Sequence, residues 1–229
     1  MPSLISCLCI THNKPDLLKR AINCFNNQSY VNKQMVIVYV ESDLPTHEYV
    51  TQQDFGDNIK IVKIGTIPEF TLGELRNISV EEADGSYVCI WDDDDWYDAD
   101  RLTEQMNHLM LHGKSGSILS LWIIFDGSTQ KAYLPLPYPL EGSVLCKREL
   151  MLQNPYPPLP KNEDSSVIQR LCKQGELSII EDMPHLYVYI FHGNNTWDYY
   201  HFKKIIVNSL ELHDDYTKEV IEAINTIEN

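Results

Sequence analysis

Residues 92–100 read Asp-Asp-Asp-Asp-Trp-Tyr-Asp-Ala-Asp, six carboxylates in nine positions. Adjacent ionised carboxylates repel one another unless a cation sits among them. The natural partner is a hard divalent ion with oxygen ligands, magnesium or manganese. Such ions take one or two protein carboxylates and complete their coordination with phosphate oxygens and water. Asp92, Asp93, Asp94 and Asp95 cannot all ligate one ion, because their side chains leave the backbone in different directions. A division of labour follows, in which one aspartate takes the metal and another accepts from a sugar hydroxyl. Asp98 and Asp100 fit a plainer part, as acids at the start of the next helix, where the macrodipole favours them. The run is bordered by Tyr87, Val88, Ile90 and Trp91 and interrupted by Trp96 and Tyr97, so it reads as the anchored end of a buried element rather than a solvated tail.

The elements that must position this run alternate. Leu4–Ile10 is nearly all apolar and short, a strand covered on both faces. Asn13 then reads as an N-cap, Pro15 and Asp16 as a first helical turn, and Leu17, Leu18, Ala21, Ile22 and Phe25 recur at helical spacing. Met35–Val40 is a second strand, Thr46–Gln53 a weak helix and Ile59–Ile64 a third strand nearer an edge. Leu72–Ala83 is a helix ended by Asp84-Gly85, and Ser86–Trp91 is the strand that delivers the aspartates. Strands alternating with helices predict a mostly parallel, Rossmann-like sheet with flanking helices. Ligands bind such sheets beyond the carboxyl ends of the strands. Thr11–Asn13, Glu41–Asp43 and Asp92–Asp95 all fall at such ends, so three loops converge on one rim. Further on, Asp98–His112 is a helix, and Ser117–Phe125 with Lys131–Leu134 flank an Asp126-Gly127 hairpin turn. Pro155–Pro160 is extended, Asp164–Lys173 a short helix, Leu186–Phe191 a strand, and Asp198–Ile227 one or two closing helices. No repeat or linker divides residues 1–229, which read as a single domain.

The 229 residues carry 18 Lys plus Arg against 33 Asp plus Glu, a formal charge of −15. This excludes a broad nucleic-acid footprint and an anionic-membrane anchor, which need clustered cations. It does not exclude a small anionic ligand held by a metal ion. Cys7, Cys9, Cys24, Cys89, Cys146 and Cys172 show no zinc spacing and lie mostly in apolar runs, as small hydrophobes. Met1-Pro2-Ser3-Leu4 lacks a basic n-region, and no apolar run reaches 18 residues. The expected setting is cytoplasmic, with at most peripheral contact at the inner face of the membrane. The apolar positions of the C-terminal tail (Ile205, Ile206, Leu210, Val220 and Ile224) would pack on the domain or on a second copy, as a homodimer.

Several blocks resemble the GT-A-fold family 2 glycosyltransferases of bacterial type. They are Cys-Ile-Thr-His-Asn-Lys-Pro-Asp-Leu-Leu-Lys-Arg-Ala (9–21), Leu-Gly-Glu-Leu-Arg-Asn (72–77), Asp-Gly-Ser-Tyr (84–87) and Ile-Trp-Asp-Asp-Asp-Asp-Trp (90–96). Asp92-Asp93-Asp94 resembles the family's Asp-x-Asp motif. Asn162-Glu163-Asp164 resembles its later Glu-Asp motif, and His192-Gly193-Asn194-Asn195-Thr196 its late histidine motif. The resemblance spans nearly the whole chain. It implies a donor half (1–100) and an acceptor half with C-terminal helices (101–229). It implies inverting transfer of a hexosyl or N-acetylhexosaminyl group from a nucleotide-diphosphate sugar, a UDP-sugar by first choice, with Mn2+ or Mg2+, in polysaccharide or cell-surface glycan synthesis.

On the same resemblance Thr11, His12 and Asn13 lie under the nucleoside, and Asp92, with Asp93 beside it, contacts the ribose. Asp94 takes the metal, His192 approaches the metal or the diphosphate, and Arg76 approaches the donor phosphates or the Asp loop. Asp164 is the general base, with Glu163 as its rival. Trp122, Tyr138, Glu141, Gly142 and Ser143 face the saccharide acceptor. The family's second strand usually ends in Val-Asp-Asp-Gly-Ser. Here it reads Val-Tyr-Val-Glu-Ser-Asp (38–43), so Glu41 or Asp43 stands in for the base-contacting aspartate. Two other readings carry distinct expectations. Nucleotidyl transfer on a similar fold would want a Gly-rich phosphate loop, and residues 8–20 contain no glycine. A catalytically inactive nucleotide-sugar or metal-binding domain would have no need of Asp164.

Overall fold

The computed structural model describes residues 2–226; the end of the closing helix expected at Ile227 lies outside them. The chain opens β1 (Ile5–Ile10), α1 (Pro15–Asn26), β2 (Lys33–Val40), α2 (Leu44–Thr51), β3 (Ile59–Ile64), α3 (Leu72–Glu82) and β4 (Tyr87–Ile90). It continues through β5 (Trp96–Tyr97), α4 (Arg101–Leu111), β6 (Gly116–Leu119), β7 (Ile123–Asp126), β8 (Lys131–Leu134), β9 (Leu145–Lys147) and α5 (Arg148–Gln153). It closes with α6 (Ser165–Lys173), β10 (Leu177–Ile180), β11 (Tyr187–Phe191), α7 (Tyr199–Ile206), β12 (Leu210–Glu211) and α8 (Asp214–Asn225).

Seven strands form the main sheet in the order β10-β6-β9-β4-β1-β2-β3. All neighbouring pairs are parallel except those made by β9, which runs antiparallel to both β4 and β6. The apolar run of β1 is explained by burial on both faces. Ile5, Cys7 and Cys9 join one apolar cluster, while Leu8 joins the other with Val36, Val38, Val88 and Ile90. A second sheet, β12-β8-β7-β11-β5, shares the first cluster through Ile124, Tyr133 and Tyr187. The mostly parallel α/β architecture expected from the alternation is thus present. No helix among the described residues is long and apolar enough to cross a membrane, and all six cysteines are free.

The structure departs from local expectation where a tertiary contact overrides a local signal. Asn13 does not cap α1. Its φ is 55°, and its backbone N–H donates to Asp43 Oδ2 at 2.8 Å, so α1 starts beyond Lys14 with no side-chain cap. Asp43 also receives Thr46 N–H at 3.0 Å, which starts α2 two residues earlier than the expected Thr46. Gly85 does not supply a left-handed cap to α3. Its Cβ would lie 2.7 Å from Ser6 Oγ and 2.8 Å from the Leu4 carbonyl, so glycine is required for close passage beside β1. Ser117–Phe125 is not one strand, because β6 belongs to the main sheet and β7 to the second. The break at Ser120–Trp122 carries the chain between them. The hairpin of β7 and β8 around Asp126-Gly127 is present.

Candidate active site

The Asp run turns between β4 and β5, with Asp93 and Asp94 in the turn and Asp95 in the bend that follows, so its side chains leave to different sides. Asp93 and Asp95 are buried, whereas Asp92 and Asp94 are partly open to a cavity of about 930 Å³ beyond the strand ends. Asp95 is structural. Its Oδ2 accepts from Tyr187 Oη at 2.5 Å and its Oδ1 from the Ile190 N–H at 3.0 Å, which pins β11 against the run. Asp94 Oδ2 accepts from Lys14 Nζ at 2.7 Å and lies 3.0 Å from His192 Nε2. The Asp94 carbonyl accepts from Arg20 at 2.5 Å.

These contacts set the charge. Burial alone would raise all four carboxyls. At Asp94 the His192 hydrogen bond and the charge of Lys14 outweigh burial and hold the carboxyl well below the usual range. At Asp93 burial, reinforced by the charge of Asp94, pushes the carboxyl up. Lys14 stays protonated beside Asp94 and Asp93 despite its own burial. At Asp92 burial raises the carboxyl and the Arg76 guanidinium opposes it.

Arg76 is a hub between the Asp run and the loop before α6. Its Nη2 donates to Asp92 Oδ1 at 3.1 Å and its Nε to Glu163 Oε1 at 2.6 Å. The first turn of α3 is fixed by a capping box between Thr71 and Glu74. Gly73 is dictated by packing, since a Cβ there would lie 1.9 Å from the Pro157 carbonyl oxygen. That close passage brings the proline-rich segment, and Glu163 after it, against α3. Glu163 is 2% exposed and committed to Arg76. Asp164 occupies the N-cap position of α6, yet its side chain makes no capping bond. Burial raises its carboxyl to about 6, against the lowering effect of Arg76.

The cavity gathers most of the residues singled out above: Thr11, His12, Asn13, Arg76, Asp92, Asp93, Asp94, Trp122, Glu141, Gly142, Glu163 and Asp164 all line it. His192 stands behind Asp94, with Asn195 Oδ1 receiving its backbone N–H at 2.9 Å. Trp122 is 3% exposed and its Nε1 donates to the Tyr138 carbonyl at 3.3 Å, so only an edge reaches the cavity. A Cβ on Gly142 would come within 3.2 Å of Asp92 Oδ2, so glycine there keeps the space beside that carboxylate. Three residues depart from expectation. Ser143 is fully buried and does not line the cavity, its Oγ donating to the Leu140 carbonyl at 2.7 Å and accepting from the Leu119 N–H at 2.9 Å. Glu41 points away and pairs with Lys63 at 3.1 Å, outside the cavity. Asp43 is fully buried and spends both oxygens on the backbone amides of Asn13 and Thr46, so it shapes the turn rather than facing a ligand.

Four positioning residues escaped the sequence reading: Lys14, Arg20, Arg101 and Tyr187. Arg101 is fully buried beneath the run. Its guanidinium carbon lies 4.4 Å from the Tyr97 ring centroid and 4.9 Å from that of Tyr187, and its Nη2 donates to the Ile90 carbonyl at 3.0 Å. A signal was present, since Arg101 and Gln105 share a helix face with Leu102, Met106 and Leu109.

The residues fit a divalent cation as part of a shared site. Among the described residues no three His, Cys, Asp or Glu side chains form a ready-made metal cage. Asp94 and His192 offer two ligands 3.0 Å apart, and the buried Asp93 Oδ2 has no hydrogen-bond partner. Magnesium and manganese commonly leave their remaining positions to substrate phosphates and water.

Residues 6–171 match the model of Glycosyl transferase family 2. An uncharacterized glycosyltransferase of Methanocaldococcus jannaschii is 27% identical over 139 residues, 59% of this chain and 48% of that protein, so the chain spans about half the length of this curated relative. Among solved structures, S. aureus TarS 1–349 in complex with UDP-GlcNAc superposes with a TM-score of 0.67 at 15% identity, over 96% of this chain and 71% of that one. The mannosyltransferase PcManGT from Pyrobaculum calidifontis, in complex with GDP-Man and Mn2+, superposes with a TM-score of 0.65 at 15% identity, over 91% of this chain and 63% of that one. The strand order, the Asp run at the end of β4 and the matched residues lead to one conclusion: the chain belongs to glycosyl transferase family 2 and has the GT-A fold.

Proposed function

We propose that the chain transfers a hexosyl or N-acetylhexosaminyl group from a nucleoside-diphosphate sugar to a saccharide hydroxyl, with inversion, in glycan or polysaccharide synthesis. One observation carries this reading: two carboxylates of opposite character open into a single cavity. Asp94 is held ionised by Lys14 and His192, whereas the Asp164 carboxyl is raised to about 6 and makes no hydrogen bond to the described residues.

A single displacement needs both. The acceptor hydroxyl must lose its proton as it attacks the anomeric carbon, and a carboxylate within hydrogen-bond reach removes it. Asp164 is suited to this task, because a raised carboxyl is a stronger base and no cap or ion pair competes for it. Glu163 is less suited, since Arg76 holds it. Its part is to orient Arg76, which in turn holds Asp92 toward the donor ribose. Asp94 and His192 would hold Mn2+ or Mg2+, which when bound offsets the charge growing on the diphosphate leaving group. Thr11, His12 and Asn13 form the floor for the nucleoside. Trp122, Glu141 and Gly142 lie where the acceptor enters. The ligands of the two solved relatives, UDP-GlcNAc and GDP-Man with Mn2+, support a nucleotide-sugar donor.

The test is a thermal-shift screen of UDP, GDP and their sugars, with and without Mn2+, followed by an assay for nucleoside diphosphate release. A ligand at 100 times its Kd stabilises by about 2.7 kcal/mol, and a domain of this size moves about 2–4 °C per kcal/mol. A metal-dependent rise of several degrees with one nucleotide is expected. No rise and no release with any donor would overturn the reading.

A further inference from the structure

In a chain of charge −15, the outer wall of the cavity is cationic and aromatic. Lys161 and Lys204 line it, and neither forms a salt bridge with the described residues. The other two lysine or arginine side chains in the cavity, Lys14 and Arg76, are consumed by Asp94, Asp92 and Glu163. Lys161 Nζ donates to the Thr196 carbonyl and lies 5.5 Å from the Trp197 ring centroid. Trp197 is 36% exposed and stacks on His201 with centroids 4.7 Å apart and planes 17° from parallel. Lys204 lies 4.4 Å above the exposed ring of Tyr200. Asp198, the carboxylate at the start of α7, is occupied as its cap through the His201 N–H at 3.1 Å.

Ammonium groups over aromatic faces keep their charge and stay available to an incoming anion. A partly exposed indole braced by a second ring offers a flat apolar face, suited to the C–H face of a pyranose. The position of this wall favours the acceptor over the donor. Lys161 precedes the proposed base, Asp164, in the same loop, and α7 is held against the second sheet by Phe202 stacked on Tyr189 at 4.6 Å. In a single displacement the base side of the transferred sugar is opposite the leaving diphosphate.

We propose that Lys161, Trp197 and Lys204 form an acceptor subsite for an anionic saccharide, one whose units carry a carboxylate or a phosphate. This rests on the reading of the cavity as a sugar-transfer site. Isothermal titration with three probes tests it: an oligogalacturonate, an oligo(glycerol phosphate) and a neutral maltooligosaccharide, each at 50 and 200 mM salt. One anionic oligomer should bind wild type, more weakly at the higher salt, and the neutral one should bind worse or not at all. Its carboxylate or phosphate then identifies the anion. The double variant Lys161→Gln/Lys204→Gln should weaken that binding by about 2- to 30-fold, the range for two exposed ion pairs. Lys161→Arg/Lys204→Arg should retain it, Trp197→Leu should weaken it, and the Kd for the nucleoside diphosphate should stay the same in all of them. Equal binding of the neutral oligomer, failure of both anionic oligomers, an unchanged affinity in the Gln variant, or a weakened nucleotide instead would overturn the subsite. If wild type binds no nucleoside diphosphate, the sugar-transfer reading itself falls, a result distinct from any of these.

Discussion

Arg76 and Glu163 lie 87 positions apart in the chain and meet at 2.6 Å, both buried. The pair ties α3 to the loop that carries Asp164, and the same guanidinium reaches Asp92 at 3.1 Å. One cation therefore positions the two ends of the proposed reaction.

Breaking that hub should be more harmful than weakening it. Arg76→Met leaves Glu163 buried without a partner, and an orphaned buried charge of this kind costs about 3–5 kcal/mol. Glu163→Gln keeps a hydrogen-bond acceptor for Arg76 Nε and should lose far less. Chemical denaturation of both variants measures the difference. Equal stability losses would show that the pair is not the organising contact.

Asp164→Asn should lower kcat by about 10²–10⁴-fold, the usual worth of general base catalysis, while the Kd for donor nucleotide changes little. In the wild type, kcat/KM should fall about tenfold per pH unit below about 6, where the carboxyl takes up its proton. Stability should move the opposite way. The folded value, about 6, lies above the ordinary 3.8, so the ionised group destabilises the fold above pH 6. That penalty is relieved as the pH falls from 6 toward 4. Asp164→Asn should accordingly be stabilising at pH 8, by on the order of 2–3 kcal/mol, and nearly neutral at pH 4. Melting curves at the two pH values, together with the rate profile, check both signs.

Lys14 occupies Asp94 Oδ2, the oxygen proposed for the divalent cation, so the two would compete for it. Lys14→Met should tighten Mn2+ binding several-fold in the absence of nucleotide, read as loss of free-ion signal in electron paramagnetic resonance. Asp94→Ala should abolish that binding and weaken the metal-dependent binding of nucleotide in calorimetry. Normal Mn2+ affinity in Asp94→Ala would remove Asp94 from the metal site.

Much of the architecture is legible in local pattern. The apolar runs of β1, β2 and β4 can only be strands buried on two faces, and the helical spacing in α1 and α4 needs no distant information. The Asp run stands out in the sequence because four adjacent carboxylates at a strand end repel one another unless a cation or burial relieves them. The elements that were missed are short. β5, β9, β10 and β12 have two to four residues each, too few for a period to emerge, and β9 gains its place only from its neighbours β4 and β6.

The sequence by itself determined the residue types available at the rim: the Asp run, Asp164 and the Thr11–Asn13 turn. It did so because composition and period are local properties. Only the tertiary structure decided which of them are free to act. Asp95 is spent on Tyr187 and Ile190, Asp43 on two backbone amides and Glu163 on Arg76, leaving Asp164 uncommitted. Carboxylates alike in sequence separate into a raised one, proposed as the base, an ionised one, proposed as the cation ligand, and structural acceptors. The physical reason is that ionisation depends on burial and on charges within a few ångströms, and those neighbours arrive from segments many tens of residues away.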